Sequence, residues 1–381
     1  MHILILYMGL RSKYNFINMA RYGSYTEQTY RNQMDKPFDW AEFNMNLIQQ
    51  SCSHELILAF DPSYMPKSGK KTAHVSRFWS GKDQAVKPGI EIGAIAVVDV
   101  QNGAALSLEA AQTPKISKAE TDENLVDHYA KVILDRLPAI ASLQIRYMAV
   151  DAFFSKKRFI EAITSQSPLE IVGRLRNDAN LRHQFNGKQK SGRGRKRKYA
   201  DKVDVKKIDR RRIPFCFEEA EDVQIFSGIV YSVSFQRMIR IVYIQNYDRH
   251  GNGTSHAILF STDLNLSPEK ILLYYRQRYQ IEFIFRDAKY FAGLEDCQAR
   301  SESKLHFHLN ASLTTVSLAK ALHYLNIPKE ERLSFSMTDV KVMYFNHFIT
   351  DFIFSKLALD RSCEKYLSLY EECLNIGRLV A

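Results

Sequence analysis

The sequence lacks the features that mark secreted, membrane and zinc-binding proteins. Its five cysteines form no C-x-x-C pair, which argues against a disulfide framework or a zinc cluster and favours a reducing compartment. No apolar run reaches the length of a membrane span, and the apolar first ten residues have neither the basic start nor the cleavage site of a signal peptide. No P-loop, G-x-G-x-x-G or Ser-His-Asp order stands out. These absences predict a cytoplasmic protein with no membrane partner.

Positive charge is concentrated in one segment. The chain has 381 residues and a formal net charge of +11. Residues 182–212 hold 14 Lys or Arg against three Asp, so this segment accounts for the whole excess. Composition alone also allows a disordered, solubilising loop here. A cluster of basic residues in one segment, however, fits binding to a polyanionic partner.

The order of predicted elements indicates a mixed α/β fold with an insertion. Apolar runs at 54–61, 89–100, 143–151 and 168–176 predict strands, and Asn102-Gly103 predicts a hairpin turn. Helical spacing over 123–140 separates two of the strands. After the basic segment, residues 222–262 predict three antiparallel strands, and the chain then becomes mostly helical.

Two of the strand candidates end in an aspartate. Asp61 closes LILAFD and Asp151 closes YMAVD. Either one alone is more often a turn former. If the two strands are neighbours, however, both carboxylates lie at the same edge of the sheet.

Residues 267–291 predict one long helix, with Ser267 as its N-cap and Pro268 in its first turn. On a continuous helix, Tyr275, Arg278, Glu282 and Lys289 would fall within about 60° of one another. The simplest interpretation is a solvated face with an Arg278–Glu282 pair. The remaining faces are aromatic and apolar, however, and a buried stripe of mixed charge needs a strong partner such as metal or phosphate.

Glu282 adds a third carboxylate to the two strand-end aspartates. Carboxylate oxygens suit Mg²⁺ or Mn²⁺. Two such ions about 4 Å apart can activate an attacking oxygen and stabilise the leaving one in phosphoryl transfer. The sequence therefore predicts two metal ions held by Asp61, Asp151 and Glu282.

The spacing Y-x2-R-x3-E-x6-K, formed by Tyr275, Arg278, Glu282 and Lys289, resembles the signature of DDE transposases of bacterial insertion sequence family four. The resemblance covers roughly residues 50–325. It implies an RNase H-like core, a mixed sheet flanked by helices, with Asp61, Asp151 and Glu282 as the catalytic triad. It also implies that Tyr275, Arg278 and Lys289 contact DNA at the transposon end.

The resemblance divides the chain into five segments. Residues 51–176 and 267–325 form the two parts of the RNase H-like core, and residues 177–266 are a basic, β-rich insertion. Residues 1–50 are a helical N-terminal region, interpreted as a shortened end-binding domain, and residues 326–381 are a helical C-terminal region.

The basic segment is then interpreted as a clamp on the DNA backbone, with sequence-independent, salt-sensitive binding. Lys67, Lys70 and Lys71 follow the first catalytic aspartate and either touch DNA or belong to a surface loop. The clamp residues within GRGRKRK are Arg193, Arg195, Lys196, Arg197 and Lys198.

The insertion departs from the family in one respect. Some members hold a flipped base with a Trp in the insertion, but Trp40 and Trp79 are the only tryptophans of this chain and neither lies there. Five other aromatic residues of the insertion are candidates for stacking on a base: Phe226, Tyr231, Phe235, Tyr243 and Tyr247.

The predicted function is a Mg-dependent DNA transposase that cuts double-stranded transposon ends and joins them to target DNA. It would act as a homodimer in the synaptic complex, in the bacterial cytoplasm at the nucleoid. Two alternatives remain open: a non-catalytic DNA-binding protein derived from a transposase, and an RNase H-like nuclease with another purpose.

Overall fold

The computed structural model describes residues 2–115, 124–185, 187–189, 192, 196–197, 199–205, 207–248, 250, 253–357 and 362–379. The helices are α1 (His2–Gly9), α2 (Phe16–Tyr22), α3 (Glu27–Gln33), α4 (Trp40–Ser51), α5 (Leu125–Arg136), α6 (Lys157–Gln166), α7 (Pro268–Gln277), α8 (Gln280–Phe291), α9 (Glu302–Asn326), α10 (Met337–Lys356) and α11 (Glu364–Asn375). The strands are β1 (Leu56–Pro66), β2 (Ser76–Ser80), β3 (Ala85–Asp99), β4 (Ala104–Gln112), β5 (Tyr147–Val150), β6 (Glu170–Arg174), β7 (Leu181–Gln184), β8 (Tyr199–Lys202), β9 (Phe215–Ala220), β10 (Val223–Ser232), β11 (Arg237–Tyr247) and β12 (Gly253–Ser261).

The chain forms two compact units. The first unit contains Met1–His54, Pro62–Lys115 and Gln280–Ala381, and the second contains Glu55–Asp61 and Ile116–Tyr279. The fold class predicted from the sequence, a mixed α/β sheet flanked by helices, is confirmed and is compatible with an RNase H-like fold. The division into five segments stays a prediction.

In the first unit, helix α9 covers the hairpin β3–β4. The predicted turn at Asn102-Gly103 joins these strands, and Gly103 has a φ of 59°, which suits glycine. Residues of α9 are buried over most of its length. Its polar side chains bond the backbone of β4, as Asn310 does with both the N–H and the C=O of Ala110. The helix thus covers the sheet and also satisfies backbone groups of β4.

The strands of the second unit are parallel on one side of the sheet and antiparallel on the other. The parallel side includes the part of β1 that belongs to this unit, residues 56–61. β1 pairs with β5, and β5 pairs with β6, all in parallel. β12, β11 and β10 continue the sheet antiparallel, and β7 and β9 both pair with β10. The three strands predicted within residues 222–262 are therefore confirmed.

One element differs from its prediction. The helix expected over 267–291 begins with Ser267 as N-cap but ends at Gln277, and α8 begins at Gln280. The N–H groups of Arg278 and Tyr279 donate to the carbonyls of Tyr274 and Arg276, so the chain tightens into a turn. The prediction that one continuous helix carries a stripe of four residues is therefore wrong. Tyr275 lies in α7 and Arg278 in the turn, whereas Glu282 and Lys289 lie in α8.

Candidate active site

Asp61 and Asp151 lie opposite one another on two neighbouring parallel strands, Asp61 within β1 and Asp151 directly after β5. The prediction that the first strand ends at Asp61 is wrong, because β1 continues to Pro66. The register pairs Leu58 with Met148 and Ala59 with Ala149, and the same offset places Asp61 opposite Asp151. Neighbouring strands are about 4.8 Å apart, and residues opposite one another point to the same face. The apolar runs before both residues are fully buried, which fixes the register. The register supports two neighbouring carboxylates, and their joint role in a site stays a prediction.

The Asp151 carboxylate is held by the turn that follows it. Its Oδ1 accepts a hydrogen bond of 2.6 Å from the N–H of Ala152, the first residue of a short 3₁₀ turn. Phe154, the last residue of that turn, is buried against Phe60 and Phe159. The aromatic anchor therefore fixes the backbone that orients the carboxylate.

Arg174 is a site residue that the sequence analysis missed. β5 and β6 pair Val150 with Gly173, so Arg174 stands next to Asp151 in the same row as Asp61. Gly173 permits this close packing, since an added Cβ would lie 2.9 Å from the ring of Phe260. The sequence feature that could have indicated Arg174 is its place at the end of the predicted strand that follows the Asp151 strand.

Tyr275 joins the same group. The Arg174 guanidinium lies near its hydroxyl and favours the ionised form. Burial raises the pKa of Tyr275, and Asp151 raises it further, whereas Arg278 and Arg174 act in the opposite direction. The phenol is thus a neutral donor near neutral pH, close to one carboxylate and two guanidinium groups.

Arg278 caps the end of α7. Its guanidinium carbon lies 5.9 Å from the centre of the Tyr275 ring. In the second unit, Asp61, Asp151, Arg174, Tyr275 and Arg278 therefore combine two carboxylates with cationic and phenolic donors. Such a set can bind a phosphate and a divalent cation together.

Glu282 and Lys289 belong to α8 of the first unit. Ile281, Ile284 and Phe285 form the buried side of this helix, and Glu282 is half-buried beside them. The Lys289 ammonium lies 3.2 Å from the carbonyl of Tyr64 and 3.3 Å from the Glu295 carboxylate. Both residues are accessible in part, and their assignment to catalysis and DNA contact stays a prediction.

The basic segment lies in the β-rich part of the second unit. Arg193, Arg195 and Lys198 fall outside the described residues, whereas Lys196 and Arg197 are exposed. The Arg197 guanidinium lies 5.1 Å from the ring centre of Phe185. An exposed, aromatic-backed arginine fits contact with a nucleic-acid backbone.

Three of the aromatic residues proposed to stack on a base are wrong candidates. Phe226, Phe235 and Tyr243 are at most 2% exposed and form the core of the insertion. Tyr231 stacks on Tyr199, and the hydroxyl of Tyr247 accepts a hydrogen bond from Arg210. The sequence could not separate core aromatics from exposed ones, because both faces of these strands carry apolar residues.

The lysines after Asp61 differ from one another. Lys67 donates to the backbone carbonyl of Cys297, and burial lowers its pKa. Lys70 and Lys71 are exposed. Lys70 and Lys71 therefore agree with a surface loop, whereas Lys67 is tied to the backbone of another segment.

The carboxylates fit a hard divalent cation by their chemistry. Asp61 and Asp151 supply the oxygen ligands that Mg²⁺ and Mn²⁺ prefer. Among the residues that the structure describes, no group of three or more His, Cys, Asp or Glu side chains is arranged to hold a metal ion. The paired aspartates thus represent a partial ligand set.

A family comparison now decides the class of protein. The family model described as transposase DDE domain matches residues 55–318, from β1 into α9. The chain belongs to this family of transposases. No curated protein matches the chain. The match begins just before the first aspartate of the pair and includes the β-rich insertion, so the transposase domain contains every candidate residue named above. Along the described residues, no helix has the length and apolar character needed to cross a membrane.

Proposed function

We propose that this transposase is the enzyme of a bacterial insertion sequence of family four, which cuts the ends of its element and joins them to target DNA. The observation that carries the proposal is the parallel pairing of β1 with β5, whose register, continued by two residues, aligns Asp61 with Asp151 within a matched transposase domain. The order Tyr275, Arg278, Glu282, Lys289 along the chain adds support for this particular family.

The proposed reaction consists of two phosphoryl transfers. Water first attacks the phosphorus at the element end, the P–O3′ bond breaks, and a 3′-OH is released. That hydroxyl then attacks a phosphate of the target, and a second P–O3′ bond breaks. No covalent bond between protein and DNA is required in either step.

Asp61, Asp151 and Glu282 are the proposed ligands of two divalent cations, Mg²⁺ or Mn²⁺. When bound, these ions would activate the attacking oxygen and stabilise the leaving one. Asp151 is oriented for this role by the Ala152 N–H, and the buried Phe154 keeps the turn in place. Glu282 is proposed as the third ligand on the strength of the sequence signature.

Binding of the scissile strand is proposed for the cationic and phenolic groups beside the carboxylates. A guanidinium can donate two parallel hydrogen bonds to one phosphate, and a buried neutral phenol donates one more. Arg278, Tyr275 and Lys289 would bind the element end, and Arg174 would join them. The clamp from Arg193 to Lys198 would hold more distant backbone.

The proposed partners are double-stranded element ends, target DNA and a second copy of the chain. One face of α10 supports a homodimer, since Ile349, Phe352 and Ile353 are spaced along one side of the helix and each is at least 45% exposed. Action on the chromosome would place the enzyme at the bacterial nucleoid.

The alternative is a DNA-binding relative that has lost catalysis. A strand-transfer assay separates the two: a duplex with the flanking inverted repeat and a free 3′-OH is incubated with a supercoiled plasmid and Mg²⁺. A transposase yields plasmid with the duplex covalently joined, whereas a non-catalytic relative shifts the duplex in a gel but joins nothing. Cleavage without joining would instead favour a nuclease.

A further inference from the structure

Phe153 stands out among the residues near the aspartate pair because it is apolar and exposed. It lies two residues after Asp151, in the 3₁₀ turn that Asp151 caps, and 43% of its surface is exposed. Its neighbour Phe154 is 1% exposed. The turn therefore uses one phenylalanine as an anchor and presents the other to solvent beside the carboxylate.

Phe153 contacts the rings of Phe154 and Tyr129, and it also has cationic neighbours. The Lys156 ammonium lies 3.7 Å from the centre of the Phe153 ring. Burial lowers the pKa of Lys156. The positive charge of Arg176 lowers it further, so Arg176 is a second cation near this ring. Arg174 occupies the adjacent position of the sheet edge. Isolated exposed apolar residues are common on protein surfaces, but this ring has a cation against its face and lies two residues from Asp151.

An exposed ring among cations is the arrangement that binds single-stranded nucleic acid. The cations neutralise phosphates, and the ring offers a face on which a base can stack. Stacking of a base on an aromatic ring is stronger than an exposed contact between an ammonium and a ring. A base can therefore take the ring face of Phe153 while Lys156 turns to the neighbouring phosphate.

We propose that Phe153 stacks on an unpaired nucleobase next to the phosphate that is cut, with Lys156 on the adjoining phosphate. The proposal rests on the proposed function, because it needs a DNA strand at the Asp61–Asp151 pair. It assigns to the turn after Asp151 a role in holding one nucleotide outside the duplex. Phe153 is thus a positioning residue for the strand end.

The test measures base stacking directly and without cleavage. The full chain is titrated, in EDTA, with a short single-stranded oligonucleotide that carries 2-aminopurine, and separately with a duplex of the same length. The wild-type protein is expected to quench the 2-aminopurine fluorescence. Phe153→Ala is expected to lose most of the quenching and to raise Kd for the single strand about tenfold, with less than about a twofold change for the duplex.

Two further variants make the result specific. Phe153→Trp is expected to restore quenching, because it restores an aromatic face. Phe215→Ala is the matched control, since Phe215 is another half-exposed phenylalanine of the same unit, and it is expected to behave as wild type. If circular dichroism shows that Phe153→Ala is misfolded, Phe153→Leu replaces it and is expected to lose the quenching.

Unchanged quenching in a folded Phe153→Ala or Phe153→Leu protein would overturn the proposal, as would equal losses for single strand and duplex. The outcome of the strand-transfer assay does not depend on the outcome of the fluorescence test. Quenching that depends on Phe153 in a protein that joins no DNA would reject the proposed function alone. Strand transfer without such quenching would reject only the role of Phe153.

Discussion

At the scale of single residues, the row Asp61, Asp151 and Arg174 is the centre of the candidate site. The two aspartates could be predicted, because an apolar run followed by Asp marks a buried strand that carries a carboxylate, although β1 continues past Asp61 to Pro66. Arg174 could not, because a charged residue at the end of a strand looks like ordinary solvent exposure until the register β5–β6 is known. Residue type indicates chemistry, but only strand pairing shows which residues are neighbours.

Arg174 is expected to contribute to binding of the element end. Arg174→Ala removes a guanidinium beside Asp151, so we expect weaker binding and a salt slope smaller by about one, as for loss of one phosphate contact. The measurement is Kd for the end duplex over a series of salt concentrations. Lys131→Ala, which removes an exposed lysine on α5, is the control and is expected to keep the wild-type slope. An unchanged slope in Arg174→Ala would argue against a phosphate contact.

At the scale of elements, hairpins and strands were easier to predict than the end of a helix. The turn at Asn102-Gly103 needs a positive φ, and a glycine in the sequence indicates such a position directly. The turn at Arg278 and Tyr279 contains neither Gly nor Pro, and its residues favour helix. Local preference therefore predicts a continuous helix, and the turn could not be read from these residues alone. The predicted helical stripe is wrong because α7 and α8 are separate helices, although the residues in it keep their candidate roles.

The contact between α1 and α9 is expected to depend on pH. His308 on α9 bonds the Tyr7 hydroxyl of α1 at 2.8 Å and the Gly293 carbonyl at 2.8 Å. Burial lowers the pKa of His308 to about 4, so between that value and about 6.5 the unfolded chain binds a proton that the folded chain does not. The stabilisation is therefore complete above about pH 6.5 and is lost as the pH falls towards 4.

Denaturant midpoints measured from pH 4 to 7 check this expectation. The wild type is expected to lose about 3 kcal/mol of unfolding free energy over that range through His308 alone. His308→Asn should be less stable at pH 7 and should show a flatter dependence. Equal pH dependence in wild type and His308→Asn would contradict the assignment.

At the scale of the whole molecule, the sequence predicted the α/β class and the order of elements but not the two compact units. The boundary falls inside β1, directly after Asp61, and again at Gln280 beside the helix break. Neither place shows a change of composition or a linker. Glu282 therefore belongs to a different unit from the two aspartates.

Dimer formation is expected to depend on α10. Phe352→Asp places a charge in the centre of the exposed face formed with Ile349 and Ile353. We expect light scattering with chromatography to show a dimer for the wild type bound to the end duplex and a monomer for the variant. Leu325→Asp, at an exposed position on α9, is the control. A variant that remains dimeric would exclude this face as the interface.

The most direct test of the account is Mg²⁺-dependent cleavage of the flanking DNA by carboxylate variants. Asp61→Asn, Asp151→Asn and Glu282→Gln keep side-chain size but remove a charged oxygen ligand, so each is expected to lower cleavage at least about a hundredfold and to leave binding of the end duplex intact. Asp178→Asn, an exposed aspartate shortly after β6, is expected to cut as the wild type does. Full cleavage by Asp61→Asn or by Asp151→Asn would contradict the central claim, and full cleavage by Glu282→Gln alone would remove that residue from the site.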